Sequence, residues 1–180
     1  MYRTSLATVI TSLVFVAGTA HAADFTLRSP DLMPGHSISP AQYNNEFGCT
    51  GQSVRPALKW SGAPKGTKSF AVTMYDKDAP TGSGFWHWVV IDIPPQTTSI
   101  AATGLPEGAK EGNTDLGKPG YFGPCPPIPR KHNYVFTVYA LDVDKLDAPA
   151  GATAALTGFF IWQHSLGKAT LPFFAGPRKR

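Results

Sequence analysis

The chain is short of the features that mark several common functional classes. Its basic residues do not interleave with aromatic ones, so nothing patterns it for nucleic acid. Charge is sparse, at 16% of the 180 residues, and the formal net charge is only +4. Arg3 and the terminal run Arg178-Lys179-Arg180 supply four positive charges, which leaves the rest near neutral. No second long apolar stretch follows the N-terminal one, so no transmembrane span is expected in the body of the chain. There are two cysteines, without CxxC spacing and without a histidine pair at ligand spacing, so zinc is not expected. No serine or cysteine sits in a recognisable nucleophile motif. No internal repeat or low-complexity segment is visible.

What is present begins with the N-terminus. Arg3 gives a positive n-region, and Leu6 to Val16 is mostly apolar. Ala20-His21-Ala22 has the small-x-small form of a cleavage site. This reads as a secretory signal peptide over residues 1–22, with a mature chain starting near Ala23. The apolar run is too short, and too rich in Thr and Ser, to favour an anchor helix. A bacterial periplasm is the first expectation and secretion from the cell the second. Residues 23–180 are the size of one ordinary domain, able to bury a core without staples. Export permits a bond between Cys49 and Cys125. Such a bond closes a loop of about 77 residues and stabilises by about 4 kcal/mol at most. Two free buried thiols are the alternative.

Proline and glycine recur throughout and mark many turns. Between them lie short strand-like runs. Ser69 to Tyr75 alternates, with Phe70, Val72 and Met74 on one face. Trp88 to Ile93 is apolar except for Asp92, and Tyr134 to Leu141 is apolar on both faces, as buried strands are. Ala57 to Trp60 and Phe25 to Leu27 are weaker candidates. The pattern predicts a mainly β domain, a sandwich or barrel. One helix is expected over Ala154 to Leu166, capped by Thr153 and ended by Gly167. Pro94 to Pro129 shows little regular pattern.

Asp76-Lys77-Asp78-Ala79-Pro80 closes one strand, and Trp86-His87-Trp88 opens the next. A stiff Gly123-Pro124-Cys125-Pro126-Pro127 loop leads to His132 at the start of the Tyr134 strand. Asp76, Asp78, His87 and His132 therefore meet at one end of a sheet. A carboxylate beside an imidazole fixes the ring's tautomer, and the other ring nitrogen is left to bind an anion. Nearby glycine amides suit a phosphate or carboxylate. Trp86, Trp88 and Tyr121 are candidate apolar walls. Each of these residues alone is also explained by ordinary turn, loop or packing roles.

The same strings, with Gly120-Tyr121-Phe122-Gly123 and His132-Asn133-Tyr134, resemble the phosphatidylethanolamine-binding protein family, its bacterial Raf-kinase-inhibitor-like branch most of all. Phe47-Gly48-Cys49-Thr50-Gly51 and Pro56-Ala57-Leu58-Lys59-Trp60 extend the resemblance over nearly the whole mature chain. It implies a β-sandwich of two antiparallel sheets with short helices, one near the C-terminus. It also implies a small pocket for phosphate, acetate or a phospholipid headgroup. By motif, Asp76 and Asp78 match the acidic pair, Pro80 the loop proline, and His87 and His132 the pocket histidines. Gly123 and Pro124 match a backbone wall, and Tyr134 the aromatic after the second histidine. Three departures stand out. Lys77 replaces a proline, bringing positive charge to the pocket mouth and loosening the loop. Asn133 replaces an arginine, and Arg55 adds a charge to the early segment.

The leading expectation is a binding protein for a small anionic ligand, with a protein partner to modulate. Weakening of that binding as pH rises through the ordinary histidine range, about 6.5, is expected with it. A module that inhibits a kinase or protease through its surface is the second reading. A hydrolase built on an Asp76/His87 dyad is the third and least supported. No cofactor is implied.

Overall fold

The computed structural model describes residues 24–127 and 129–177. The expected signal peptide and its cleavage site lie outside the described residues, as does the terminal basic run. In chain order the elements are β1 (Thr26–Arg28), β2 (Leu58–Ser61), β3 (Ser69–Asp76), β4 (Phe85–Ile93), β5 (Ser99–Ile100), β6 (Lys110–Glu111), β7 (His132–Leu141), α1 (Ala154–His164) and β8 (Ser165–Ala175). A single 3-10 turn spans Pro40–Gln42.

These strands form two antiparallel sheets, ordered β1-β2-β5 and β6-β4-β3-β7-β8. The main core lies between them. Leu27, Leu58, Trp60 and Ile100 from the small sheet meet Phe70, Val72, Met74, Val90 and Phe136 from the large one. The alternation of β3 explains the second layer. Ala71 points away from that core and packs with Leu141, Leu146 and Ile161. The large sheet is thus covered on both faces, which is why its central strands read as apolar throughout. Asp92, the one interruption of the Trp88–Ile93 run in β4, takes a left-handed φ of 59°. Its buried carboxylate accepts from Leu146 N at 2.9 Å and pairs with Lys110 Nζ at 3.1 Å. Among the described residues, no helix is long and apolar enough to cross a membrane.

The helix begins where expected, with the Thr153 side chain accepting from Leu156 N at 3.2 Å. It ends two residues early. Ser165 opens β8 directly, and pairing with β7 runs from Leu141↔Ser165 to His132↔Ala175. Ladder hydrogen bonds override the local helix preference of Leu166, and Gly167 lies inside a strand rather than at a helix end. Composition hides β8, because Gly167 and Pro172 read as breakers. Proline is tolerated because β8 is the edge of its sheet. That edge is not bare: Gly35 N donates to the Pro172 carbonyl at 2.9 Å and Ile38 N to that of Phe174 at 3.1 Å.

Candidate functional site

Asp76 is the last residue of the central strand β3. Its register partners are Phe85 on β4 and Tyr134 on β7. That placement brings the mouths of both neighbouring strands to one carboxylate. On β4, Met74 pairs with Trp88 but Tyr75 pairs with Trp86, so His87 is an extra residue with no partner. Such a bulge re-aims side chains. Trp88 points into the core between the sheets, where it is fully buried. Trp86 faces the opposite side, its ring tilted against that of Tyr75 with centres 4.9 Å apart, and it lies close to Gly158 of α1. His87 and Phe85 are left to face a cavity.

That cavity has a volume of about 240 Å³. Asp76, His87, His132 and Tyr134 line it and are all at least 96% buried. Phe47, Phe85, Phe122 and Leu116 also line it, together with Pro80. The deep polar groups are tightly organised. The Nδ1 of His132 donates to Asp76 Oδ2 at 2.7 Å, and the Asp78 amide donates to Asp76 Oδ1 at 2.9 Å. The Nδ1 of His87 lies 2.8 Å from the Phe122 carbonyl, which can only accept, so Nδ1 carries the proton. His87 stacks on Phe122 with ring centres 5.4 Å apart. Burial pushes the His87 pKa down to about 4, against a smaller opposing effect from the Phe122 carbonyl and Asp76. A neutral ring with Nδ1 protonated presents an acceptor at Nε2. Burial, and then Asp76, push the Tyr134 hydroxyl well above its usual range, so it stays protonated.

Several sequence expectations need correction. Asp78 and Asp76 do not act as a pair in the cavity. Asp78 is exposed, and its Oδ2 accepts from both the amide and the side-chain Nδ2 of Asn133, each at 2.7 Å. Those hydrogen bonds lower its pKa, with Lys77 among the smaller contributors. Nor does Lys77 loosen the turn, because its amide donates to the Asn133 carbonyl at 3.1 Å. Arg55, the added charge of the early segment, is buried, with its guanidinium 4.5 Å over the Trp88 ring. Tyr121 packs edge-on against Trp88, outside the lining. Asp76 and His87 make no dyad: Nε2 is 4.0 Å from Oδ2, and the carboxylate is committed to His132.

Gly123 and Pro124 are buried behind the cavity rather than on its wall. Gly123 N donates to Ser53 Oγ at 3.1 Å, and the Pro124 carbonyl accepts from Asn44 N at 3.0 Å. A Cβ on Gly123 would sit 2.7 Å from the Gln42 carbonyl oxygen and 2.8 Å from Asn44 N. Backbone cannot yield as a side chain does. Gly123→Ala is therefore expected to cost about 2 kcal/mol, measured as a lower urea midpoint at unchanged slope. Beside this segment, Cys49 and Cys125 form a disulfide, with Cα atoms 5.9 Å apart. Cys125 lines the cavity, and its sulfur is not available as a nucleophile.

Sequence reasoning missed the aromatic walls. Phe122 lies inside the string that was singled out, Phe85 immediately precedes Trp86, and Phe47 opens the Phe47-Gly48-Cys49 segment. The tryptophans drew attention instead, because a bulge at His87 leaves no trace in alternation. Among the described residues, no group of three or more His, Cys, Asp or Glu could hold a metal ion.

Comparison with known proteins identifies the family and the fold. The family model described as phosphatidylethanolamine-binding protein matches residues 28–174. UPF0098 protein YbcL of Escherichia coli is 40% identical over 91% of this chain and 93% of its own. YbhB from the same organism is 43% identical over 81% of this chain and 96% of its own. A relative from Mycobacterium tuberculosis, the putative lipoprotein LppC, is 38% identical over 83% of this chain and 71% of its own. The solved structure of E. coli YbcL, described as a new member of the mammalian PEBP family, superposes with a TM-score of 0.82. It shares 37% identity and covers 87% of this chain and 100% of that one. The two-sheet fold and these matches together place the chain in the phosphatidylethanolamine-binding protein family.

Proposed function

We propose that the chain is a binding protein for a small anionic or phosphorylated ligand, held in the cavity lined by Asp76, His87, His132 and Tyr134. Family membership supports ligand binding, with protein interaction as a further role. One observation carries the finer reading: the two buried histidines each commit Nδ1 to an internal acceptor, which leaves both Nε2 atoms for a ligand. Phe47, Phe85 and Phe122 offer apolar walls to an organic substituent. Pro80 holds the turn after Asp78. The disulfide and the relative named as a lipoprotein support an extracytoplasmic setting, with a cleaved signal peptide ahead of the domain.

The pH expectation from sequence is sharpened by burial. Neutral His87 offers a lone pair, which repels an anion that has no hydrogen of its own. Sulfate binding must therefore protonate His87. Its affinity should rise by about tenfold per pH unit as pH falls from 7 toward 4, rather than stepping near the ordinary histidine range. Calorimetry with sulfate and with phosphoethanolamine tests the site. His87→Ala and His132→Ala should each weaken binding by at least about tenfold, the loss of one charge-assisted hydrogen bond. Equal affinity in the wild type and both variants would remove this site assignment.

A further inference from the structure

A second cavity of about 190 Å³ adjoins the first. The two share Pro80, Pro127 and His132. His132 is thus a partition, its Nδ1 fixed on Asp76 and the rest of its ring bordering both spaces. The second cavity is completed by Asp78, Pro129 and Arg130. Arg130 is exposed, and no carboxylate of a described residue lies within ion-pair distance of it.

The charge balance shows what Arg130 can do. Inside the first cavity the fixed charge is negative: Asp76 is a carboxylate, and burial keeps His87 neutral near pH 7. An anion entering there meets repulsion that the neutral His87 ring does not offset. Three cations lie close in sequence to the residues of the second cavity: Lys77, Arg130 and Lys131. Of these cations only Arg130 lines either cavity. Lys131 is turned aside over the Phe174 ring, 4.7 Å from its centre. Lys77 extends beside Asp78, whose Oδ2 is already taken by Asn133. Among the described residues, Arg130 is therefore the one cation placed to reach a ligand held at His132.

Building on the anion-binding reading above, we propose that Arg130 is a ligand-binding residue and that the ligand spans both cavities. Its phosphate sits at the His132 partition, gripped by His132 and by the Arg130 guanidinium. Its organic substituent lies in the first cavity against Phe85 and Phe122. The class this selects is a phosphoester with an apolar or aromatic substituent. Guanidinium provides a planar fork for two phosphate oxygens, and the rings provide stacking faces.

Titration of the full chain with inorganic phosphate and with phenyl phosphate, at one pH and low salt, separates these contributions. Phenyl phosphate should bind more tightly than inorganic phosphate. Arg130→Gln should weaken both by about tenfold, and Arg130→Lys by less, since charge remains but the fork is lost. Phe122→Ala should weaken phenyl phosphate alone. Urea midpoints should not move in the Arg130 variants, because the side chain is exposed. Wild-type affinity for both probes in Arg130→Gln, with His132→Ala still defective, would overturn the role of Arg130 and leave the anion-binding reading standing. Absence of saturable binding in the wild type would overturn both.

Discussion

Replacing Cys49 and Cys125 together by serine is expected to lower the unfolding free energy by about 4 kcal/mol, more than any other exchange considered. The bond spans a sequence separation of 76, so most of the unfolded chain between the first strand and the last crossover is closed into one loop. Opening that loop returns its configurational freedom to the unfolded state. The native state loses something as well. Cys49 is buried at the end of a segment in which Phe47 and Gly48 both take left-handed φ, 55° and 79°. Phe47 reaches the cavity and packs edge-on against Phe122, with ring centres 5.6 Å apart. The bond holds that segment beside the buried Gly123-Pro124 stretch, so ligand affinity should fall along with stability. Urea unfolding of the double variant, and of the wild type with and without reductant, measures the first effect. Calorimetry with phenyl phosphate measures the second. A double variant as stable as the wild type would show that the loop is already restricted in the unfolded state, and the entropic account would fail.

Much of this site was legible in the sequence, and the reasons differ residue by residue. Strand ends show as breaks in alternation, so Asp76, His87 and His132 could be placed together before any register was known. Both faces of β7 are apolar, and it proved to be a central strand. Thr153 was recognisable as a cap because a hydroxyl before a run of helix formers has few other uses. What escaped depends on neighbours that sequence order does not reveal. The β8 strand contains Gly167, which weakens any strand reading, and Pro172, which a regular strand tolerates at a sheet edge. Trp86 and Trp88 flank His87 on opposite sides of the sheet because one unpaired residue shifts the phase between them. Asp78 looked equivalent to Asp76, yet a separation of two residues carries it out of the strand and onto Asn133. Burial alone separates the two acids: one organises a histidine inside the cavity, and the other pins the turn outside it. Burial of the same kind applies to Arg55, whose charge lies under the surface against Trp88.

His87 should also make the fold sensitive to mild acid. Its imidazole is held neutral in the native state with a pKa of about 4, against 6.5 for the free side chain. Between those values the unfolded chain takes up a proton that the folded chain refuses. The stabilisation from the neutral buried ring is therefore complete above about pH 6.5 and is lost as pH falls toward 4. A shift of this size corresponds to about 3 kcal/mol, spread over that window. Asp78 contributes with the same sign: its pKa is also lowered, by Asn133, but its share is lost only below the ordinary carboxylate range, beneath the His87 window. The two can be told apart by where the stability curve bends. His87→Gln keeps a side-chain donor for the Phe122 carbonyl but cannot titrate. Urea unfolding of both proteins at pH 7 and pH 4 should show a wild-type loss larger than the variant's by about 3 kcal/mol. Parallel losses would mean that solvent reaches the ring well enough to protonate it in the native state. The same protonation links stability to binding, because an anion at Nε2 raises the His87 pKa and should restore, in sulfate, part of the stability that acid removes.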